Sequence, residues 1–435
     1  MGYLDFSRLT SYSLLCTGNI YMVLIIESKL SIENRSSYMN ENLIVENVTI
    51  VGVGTMGQEI AQVALMGGFQ VTLYDISEES LIKAESFIQK NLTKLEEKGK
   101  LHANTTVRDL LANLKKETRL EDAVKEADMV IEAIPEVMEL KQDLFRKLGD
   151  LTLEHTILAS NTSNMKITEI AKKSNKADRI VGIHFFTPIV ILPAIEVIKG
   201  EQTSDKTMKI AKKFAESLPC LRGRRKIISI QKETPGFIVN RLTGTSLAYV
   251  MWLAEQALEE NIPFEQIDAD AIAMQGGGLG PLAKLDVLGL DVILHSFNYY
   301  AETLSKQLTA PDFLKELIKK GKLGKKTGEG FYEWTEDGQP EADFSKKANM
   351  FNPEIYMAIQ LNEGCRLLEE GVVEGYKEVD EAIVAAMNMP GPFSAGKRNY
   401  KKWVTLLEDF AKKSEMTYFR PCELLKSGKF LEMKR

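Results

Sequence analysis

The chain has 435 residues, 44% of them hydrophobic, and a formal net charge of −6. That length predicts two or three domains with ordinary packed cores. The acidic balance argues against nucleic acid as the main partner, because no overall basic field draws in phosphates. The four cysteines, at positions 16, 220, 365 and 422, form no closely spaced pair. They read as inert thiols in a reducing cytoplasm.

Residues 1–45 read as a loose N-terminal extension, with folding expected to begin near Asn40. The apolar run at 14–26 is broken by Gly18 and Asn19 and is too short to span a bilayer, so no membrane association is expected. Residues 48–53 are a β-branched run, 57–67 read as a helix and 69–74 as a second strand. The stretch 77–116 is polar and helical with a break at Gly99, and is expected to project as a helical hairpin. Further strands are expected at 129–133, 156–160, 180–186 and 194–198, with helices between. This order predicts an α/β Rossmann-type doubly wound sheet over 46–233.

After Thr234-Pro235-Gly236 helical periodicity dominates, which predicts an all-α C-terminal region. That region reads as two copies of one unit, 234–336 and 337–435. Leu258-Glu259-Glu260 before Asp270 matches Leu368-Glu369-Glu370 before Asp380. Gly280-Pro281 matches Gly391-Pro392. Glu316-Leu317-Ile318-Lys319 before Gly321 matches Glu423-Leu424-Leu425-Lys426 before Gly428.

Gly52-Val53-Gly54-Thr55-Met56-Gly57 fits the dinucleotide fingerprint, in its required place between a strand and a helix. The first glycine permits the turn and the second admits the pyrophosphate. The third lets helix and strand pack closely. Asp75 closes the second strand, where a carboxylate accepts both ribose hydroxyls of NAD. It would repel the extra phosphate of NADP, and Ile76-Ser77 offers no arginine to offset that. FAD is a weaker competitor. Downstream, His184 opens His184-Phe185-Phe186-Thr187-Pro188, and Glu196 follows on the next expected strand. An imidazole is a general base near neutral pH, and a carboxylate can orient it. Together with the nucleotide loop, this pair points to alcohol oxidation.

From about residue 47 to 334 the chain resembles the L-3-hydroxyacyl-CoA dehydrogenase family. The likeness rests on the glycine loop, Ser160-Asn161-Thr162-Ser163, the His184 run and Ile195-Glu196-Val197-Ile198. It also rests on Pro235-Gly236-Phe237-Ile238-Val239-Asn240-Arg241 and Lys326-Thr327-Gly328-Glu329-Gly330-Phe331-Tyr332. The resemblance implies a catalytic pair at His184 and Glu196, with Ser163 and Asn240 near the substrate oxygen. It implies NAD contacts at Gly52, Gly54, Thr55, Met56, Gly57, Asp75, Glu136, Lys141, Asn161, Ser163, Thr187 and Lys326. It implies an acyl-CoA substrate touching Ser163, Asn91 and Lys98, and no metal. Thr187 stands where the family usually carries asparagine. The run 218–230 is longer than usual and holds Arg222, Arg224 and Arg225, which read as a surface strand or a CoA contact.

The second helical copy lacks both the Asn240 motif and the Lys326 tail, so no chemistry is expected there. Family members with one copy dimerise through it. This chain is therefore expected to be a pseudo-dimeric monomer or a homodimer. The expected reaction interconverts (S)-3-hydroxyacyl-CoA and 3-ketoacyl-CoA, with short chains such as 3-hydroxybutyryl-CoA. The rivals are a dehydrogenase of a free 3-hydroxy acid and a nucleotide-binding protein without turnover.

Overall fold

A computed structural model describes residues 45–102, 105–275 and 277–433. The expected N-terminal extension, all but Val45, lies outside the described residues. The described chain begins with β1 (Asn47–Val51), α1 (Thr55–Met66), β2 (Gln70–Tyr74), α2 (Glu78–Glu97), α3 (Val107–Leu111), β3 (Leu114–Glu117), α4 (Leu120–Val124) and β4 (Met129–Glu132). Then come α5 (Met138–Leu151), β5 (Ile157–Ser160), α6 (Ile167–Ala171), β6 (Ile180–Phe185), β7 (Ala194–Ile198), α7 (Asp205–Ser217) and β8 (Lys226–Ile230).

The eight strands form one sheet in the order β3-β2-β1-β4-β5-β6-β7-β8. Neighbours are parallel except β6 and β7, which run antiparallel. Every residue of β4, β5, β6 and β7 is buried, as expected for central strands covered on both faces. Asp128 anchors the start of β1: its Oδ2 accepts from the N–H groups of Glu46 and Asn47 at 2.9 and 2.8 Å.

Three expectations need correction. The stretch 77–116 is not a hairpin of two long helices. Only α2 is long, capped by Ser77 and buried along Leu81, Ala84, Ile88 and Leu92. The return arm is the five-residue α3 followed by β3. β3 escaped the reading because its Lys115 and Lys116 are solvent-facing, which suits an exposed sheet edge. The basic cluster is the second. Arg225 is buried and donates to the carbonyls of Leu218, Ile189, Leu192 and Pro219, so it ties down the turn before β8. Arg222 and Arg224 are exposed.

The third concerns the repeat. Beyond β8 lie α8 (Val239–Glu259), α9 (Phe264–Gln275), α10 (Pro281–Leu288), α11 (Leu290–Thr303) and α12 (Asp312–Lys319). They are echoed by α13 (Pro353–Glu369), α14 (Tyr376–Met387), α15 (Pro392–Gly396), α16 (Tyr400–Lys413) and α17 (Glu423–Ser427). In the first set, Asp268 accepts from the N–H groups of Leu282 and Ala283 where α10 starts. In the second, Asp380 accepts from Phe393 and Ser394 where α15 starts. The partner of Asp380 is therefore Asp268, not Asp270. The α13–α14 loop (370–375) is two residues longer than the α8–α9 loop (260–263), so counting from the helix ends slips by two. Asp270 instead accepts from the N–H groups of Asn349, Met350 and Phe351, on the approach to α13. Burial pushes the Asp268 carboxyl up to about 6, against the pull of its hydrogen-bond donors.

Candidate active site

The antiparallel register of β6 and β7 sets His184 directly opposite Glu196. The Nδ1–H of His184 donates to Glu196 Oε2 at 2.7 Å, which leaves Nε2 as the nitrogen with a lone pair. The imidazole is 4% exposed, with the Phe186 ring edge-on at 4.5 Å and the Phe237 ring at 5.9 Å. The other oxygen of Glu196, Oε1, accepts from the N–H groups of Ile238 and Val239, each at 3.1 Å. These are donors that a helix start leaves unpaired, and a helix N-terminus favours negative charge. One carboxylate thus orients the imidazole and begins α8.

The sharp entry to α8 needs Gly236, whose φ is +72°. A Cβ there would come within 2.5 Å of the Tyr300 hydroxyl. Asn240, in the first turn of α8, donates from Nδ2 to the Ser163 carbonyl at 3.2 Å. Its own carbonyl accepts from the Tyr300 hydroxyl at 2.9 Å. Burial and neighbouring charges, Glu196 among them, push the Tyr300 phenol up, so it stays a neutral donor. Ser163 in turn donates its N–H to Glu136 Oε1 at 2.7 Å. Among the described residues the Ser163 hydroxyl has no hydrogen-bond partner. A continuous ladder therefore joins His184, Glu196, α8, Asn240, Ser163 and Glu136.

The glycine loop is shaped for a dinucleotide. A Cβ on Gly52 would meet the Ala133 carbonyl at 2.8 Å, and one on Gly57 would meet the Gly52 carbonyl at 1.9 Å. Gly54 is exposed and a Cβ there would meet nothing within 4 Å. No side chain caps α1 at Gly54, so its first N–H groups remain for phosphate oxygens. Thr55 and Met56 form the first turn of that helix. Asp75 follows β2, within 3.3 Å of the Val53 N–H and 3.0 Å of the Ser77 N–H. These residues fit NAD.

Residues 47–222 match the family described as "3-hydroxyacyl-CoA dehydrogenase, NAD binding domain", and residues 236–334 match its C-terminal domain. The chain is 35% identical to the mitochondrial hydroxyacyl-coenzyme A dehydrogenase of Sus scrofa, over 70% of this chain and 96% of that protein. It is 34% identical to 3-hydroxybutyryl-CoA dehydrogenase of Clostridioides difficile, over 66% of this chain and 99% of that protein. The solved structure of 3-hydroxybutyryl-CoA dehydrogenase from Escherichia coli superposes with a TM-score of 0.75 at 27% identity. It covers 90% of this chain and 99% of that one. The chain belongs to the 3-hydroxyacyl-CoA dehydrogenase family.

Against that family's pattern, the remaining implied residues divide. Asn91 and Lys98 on and after α2 line one cleft of about 270 Å³ with Glu59, Pro188 and Val190. Lys94, which the sequence reading missed, lines it too. Its place between Asn91 and Lys98 at helical spacing was the available signal. Thr187 spends its hydroxyl on Glu59 at 2.9 Å rather than presenting it freely. The Asn161 side chain braces the sheet by accepting from the Phe185 N–H at 3.0 Å. Lys141 is buried, not solvated, and its ammonium lies 2.5 Å from Glu132 and 3.1 Å from Glu136. Ser160 donates to the same Glu132, whose carboxyl burial pushes up despite Lys141. Lys326 is engaged with both oxygens of Asp291 at 2.6 Å, within the helical half. No helix among the described residues is long and apolar enough to cross a membrane.

Proposed function

We propose that this chain is an NAD-dependent 3-hydroxyacyl-CoA dehydrogenase that oxidises the (S)-3-hydroxyl to a 3-ketone and runs in reverse, with short acyl chains such as 3-hydroxybutyryl. Family membership supports the reaction. The observation that carries the chemistry is the buried 2.7 Å contact of His184 with Glu196.

NAD, when bound, supplies the carbon that accepts the hydride from C3. His184 takes the hydroxyl proton at Nε2 during oxidation and returns it to the ketone oxygen in reverse. Glu196 holds the ring in that tautomer and stabilises the imidazolium. Asn240 and the Ser163 hydroxyl stand to steady the substrate oxygen as charge develops. Gly54, the first turn of α1 and Asp75 hold the dinucleotide. Asn91, Lys94 and Lys98 supply an amide and two cations for the CoA nucleotide, which supports a CoA ester over a free acid. Lys141 serves the cofactor side indirectly, by fixing Glu136. The packing of α8 on α13 supports a chain whose second helical copy takes a dimer partner's place. The described cysteines are free, which supports a reducing cytoplasm.

The test compares acetoacetyl-CoA with acetoacetate as oxidant of NADH, in the wild type and in His184→Ala. The wild type should turn over the CoA ester and largely ignore the free acid. The variant should still bind NADH and lose turnover by roughly 10²–10⁴. Equal rates on the free acid would refute the CoA assignment, and undiminished turnover in the variant would refute the base.

A further inference from the structure

An ion cluster with a buried centre lies where the two helical copies meet. α8 packs along α13, and Arg241, the residue after Asn240, is 2% exposed there. Its Nε donates to Glu363 at 3.1 Å, and its two terminal nitrogens donate to Glu370 at 2.5 and 2.6 Å. One of them also donates to Thr234 Oγ1 at 2.7 Å, on the loop that enters α8. Glu363 accepts in addition from the Tyr418 hydroxyl at 3.0 Å and pairs with Arg366. The same copy reaches the sheet. Lys226 of β8 pairs with Glu381 of α14 at 2.5 Å, and Lys232 donates to the Glu370 carbonyl at 2.7 Å. β8 lies beside β7, the strand that carries Glu196.

The repeat makes this cluster asymmetric. Leu258-Glu259-Glu260 ends α8 as Leu368-Glu369-Glu370 ends α13, an offset of 110 (368 − 258). The position matching Glu363 is then Leu253 (363 − 110). The helical unit does not itself carry that carboxylate, so two first copies packed together would leave Arg241 without it. The same offset sets Glu260 against Glu370, so the asymmetry rests on Glu363, and a buried guanidinium that loses a charged partner is costly.

We propose that Glu363 and Glu370 of the second copy are positioning residues for the dehydrogenase reaction. They act through Arg241 on Asn240 and on the first turn of α8, which holds Glu196. The proposal rests on the roles given above to His184, Glu196 and Asn240. The second copy touches no reacting atom in this account. It fixes the angle at which α8 meets the imidazole pair, and an error of about 1 Å at a reacting group costs up to about 10²-fold in rate.

The experiment uses the full chain with E363Q, E370Q and E370D, acetoacetyl-CoA as substrate, and NADH with deuterium in the transferred position. Glu370 is partly exposed, so E370Q tests the idea even where E363Q fails to fold. E370Q should lower kcat roughly tenfold to a hundredfold, with KM for NADH held within about twofold. The isotope effect on kcat should rise as hydride transfer becomes limiting, and E370D should recover most of the rate. Unchanged kcat in E370Q would overturn the proposal. So would kcat, KM and melting temperature falling together with no change in isotope effect, since that marks a merely structural role. A wild-type chain without acetoacetyl-CoA turnover would overturn the dehydrogenase reading itself, and this inference with it.

Discussion

His184 and Glu196 were legible as a pair because they stand on successive expected strands within motifs that resemble the family's, and the structure sets them opposite each other across β6 and β7. The two charges least legible were Lys141 and Arg225. A lone lysine or arginine in a sequence reads as solvated, and only the fold supplies the buried acceptors that reverse that reading. Arg225 shows the cost. Its guanidinium satisfies four main-chain carbonyls. Arg225→Met should fill the space and leave those acceptors bare, lowering stability by about 2–4 kcal/mol in denaturant titration. A loss below about 0.5 kcal/mol would mean the carbonyls find water instead.

At the scale of elements, the strongly apolar strands and the glycine-loop helix could be read from pattern, since burial on both faces leaves continuous hydrophobic runs. β3 could not, because an edge strand needs polar residues on its open side. The repeat reading matched Asp380 with Asp270, whereas Asp268 makes the contacts that Asp380 makes, and two extra loop residues account for the slip. β1 carries a pH prediction. Burial pushes the Asp128 carboxyl up, but the N–H groups of Asn47 and Glu46, the His155 ring and the Asn47 amide pull it further down, and the net pKa is lowered. The unfolded state therefore binds the proton more readily. The stability Asp128 contributes is present above its unfolded pKa of about 3.9 and is lost as pH falls through the lower folded value. Asp128→Asn should lower the melting temperature at pH 7, and the gap to wild type should close as pH falls below the unfolded carboxylate's pKa. A gap that stays constant with pH would show that charge is not what anchors β1.

At the scale of the whole molecule, the second helical copy covers α8. α13 buries Ala358, Ile359, Leu361, Cys365, Leu367 and Leu368 in the shared core. A chain cut after residue 336 would expose the facing surface of α8, and apolar patches of that kind drive association. The truncated protein should leave the monomeric state, read by light scattering, and melt at a lower temperature than the full chain. A monodisperse monomer with an unchanged melt would show that the first copy stands alone. That a second copy could take a dimer partner's place was legible from the repeat, but the residues that carry the contact were not, since the copy lacks the Asn240 run and reads as inert. Its contribution lies in which faces it covers, and a linear pattern does not display faces that meet across a hundred residues.

Glu196 imposes a condition on how the enzyme opens. The seam between sheet and helices is fastened by the same group that keeps the imidazole aligned. Moving α8 away would strip Glu196 Oε1 of the N–H groups of Ile238 and Val239 and loosen the carboxylate that holds the His184 ring. The cleft lined by α2, Pro188 and Val190 shares no residue with that seam, so a ligand lodged there leaves the fastening untouched.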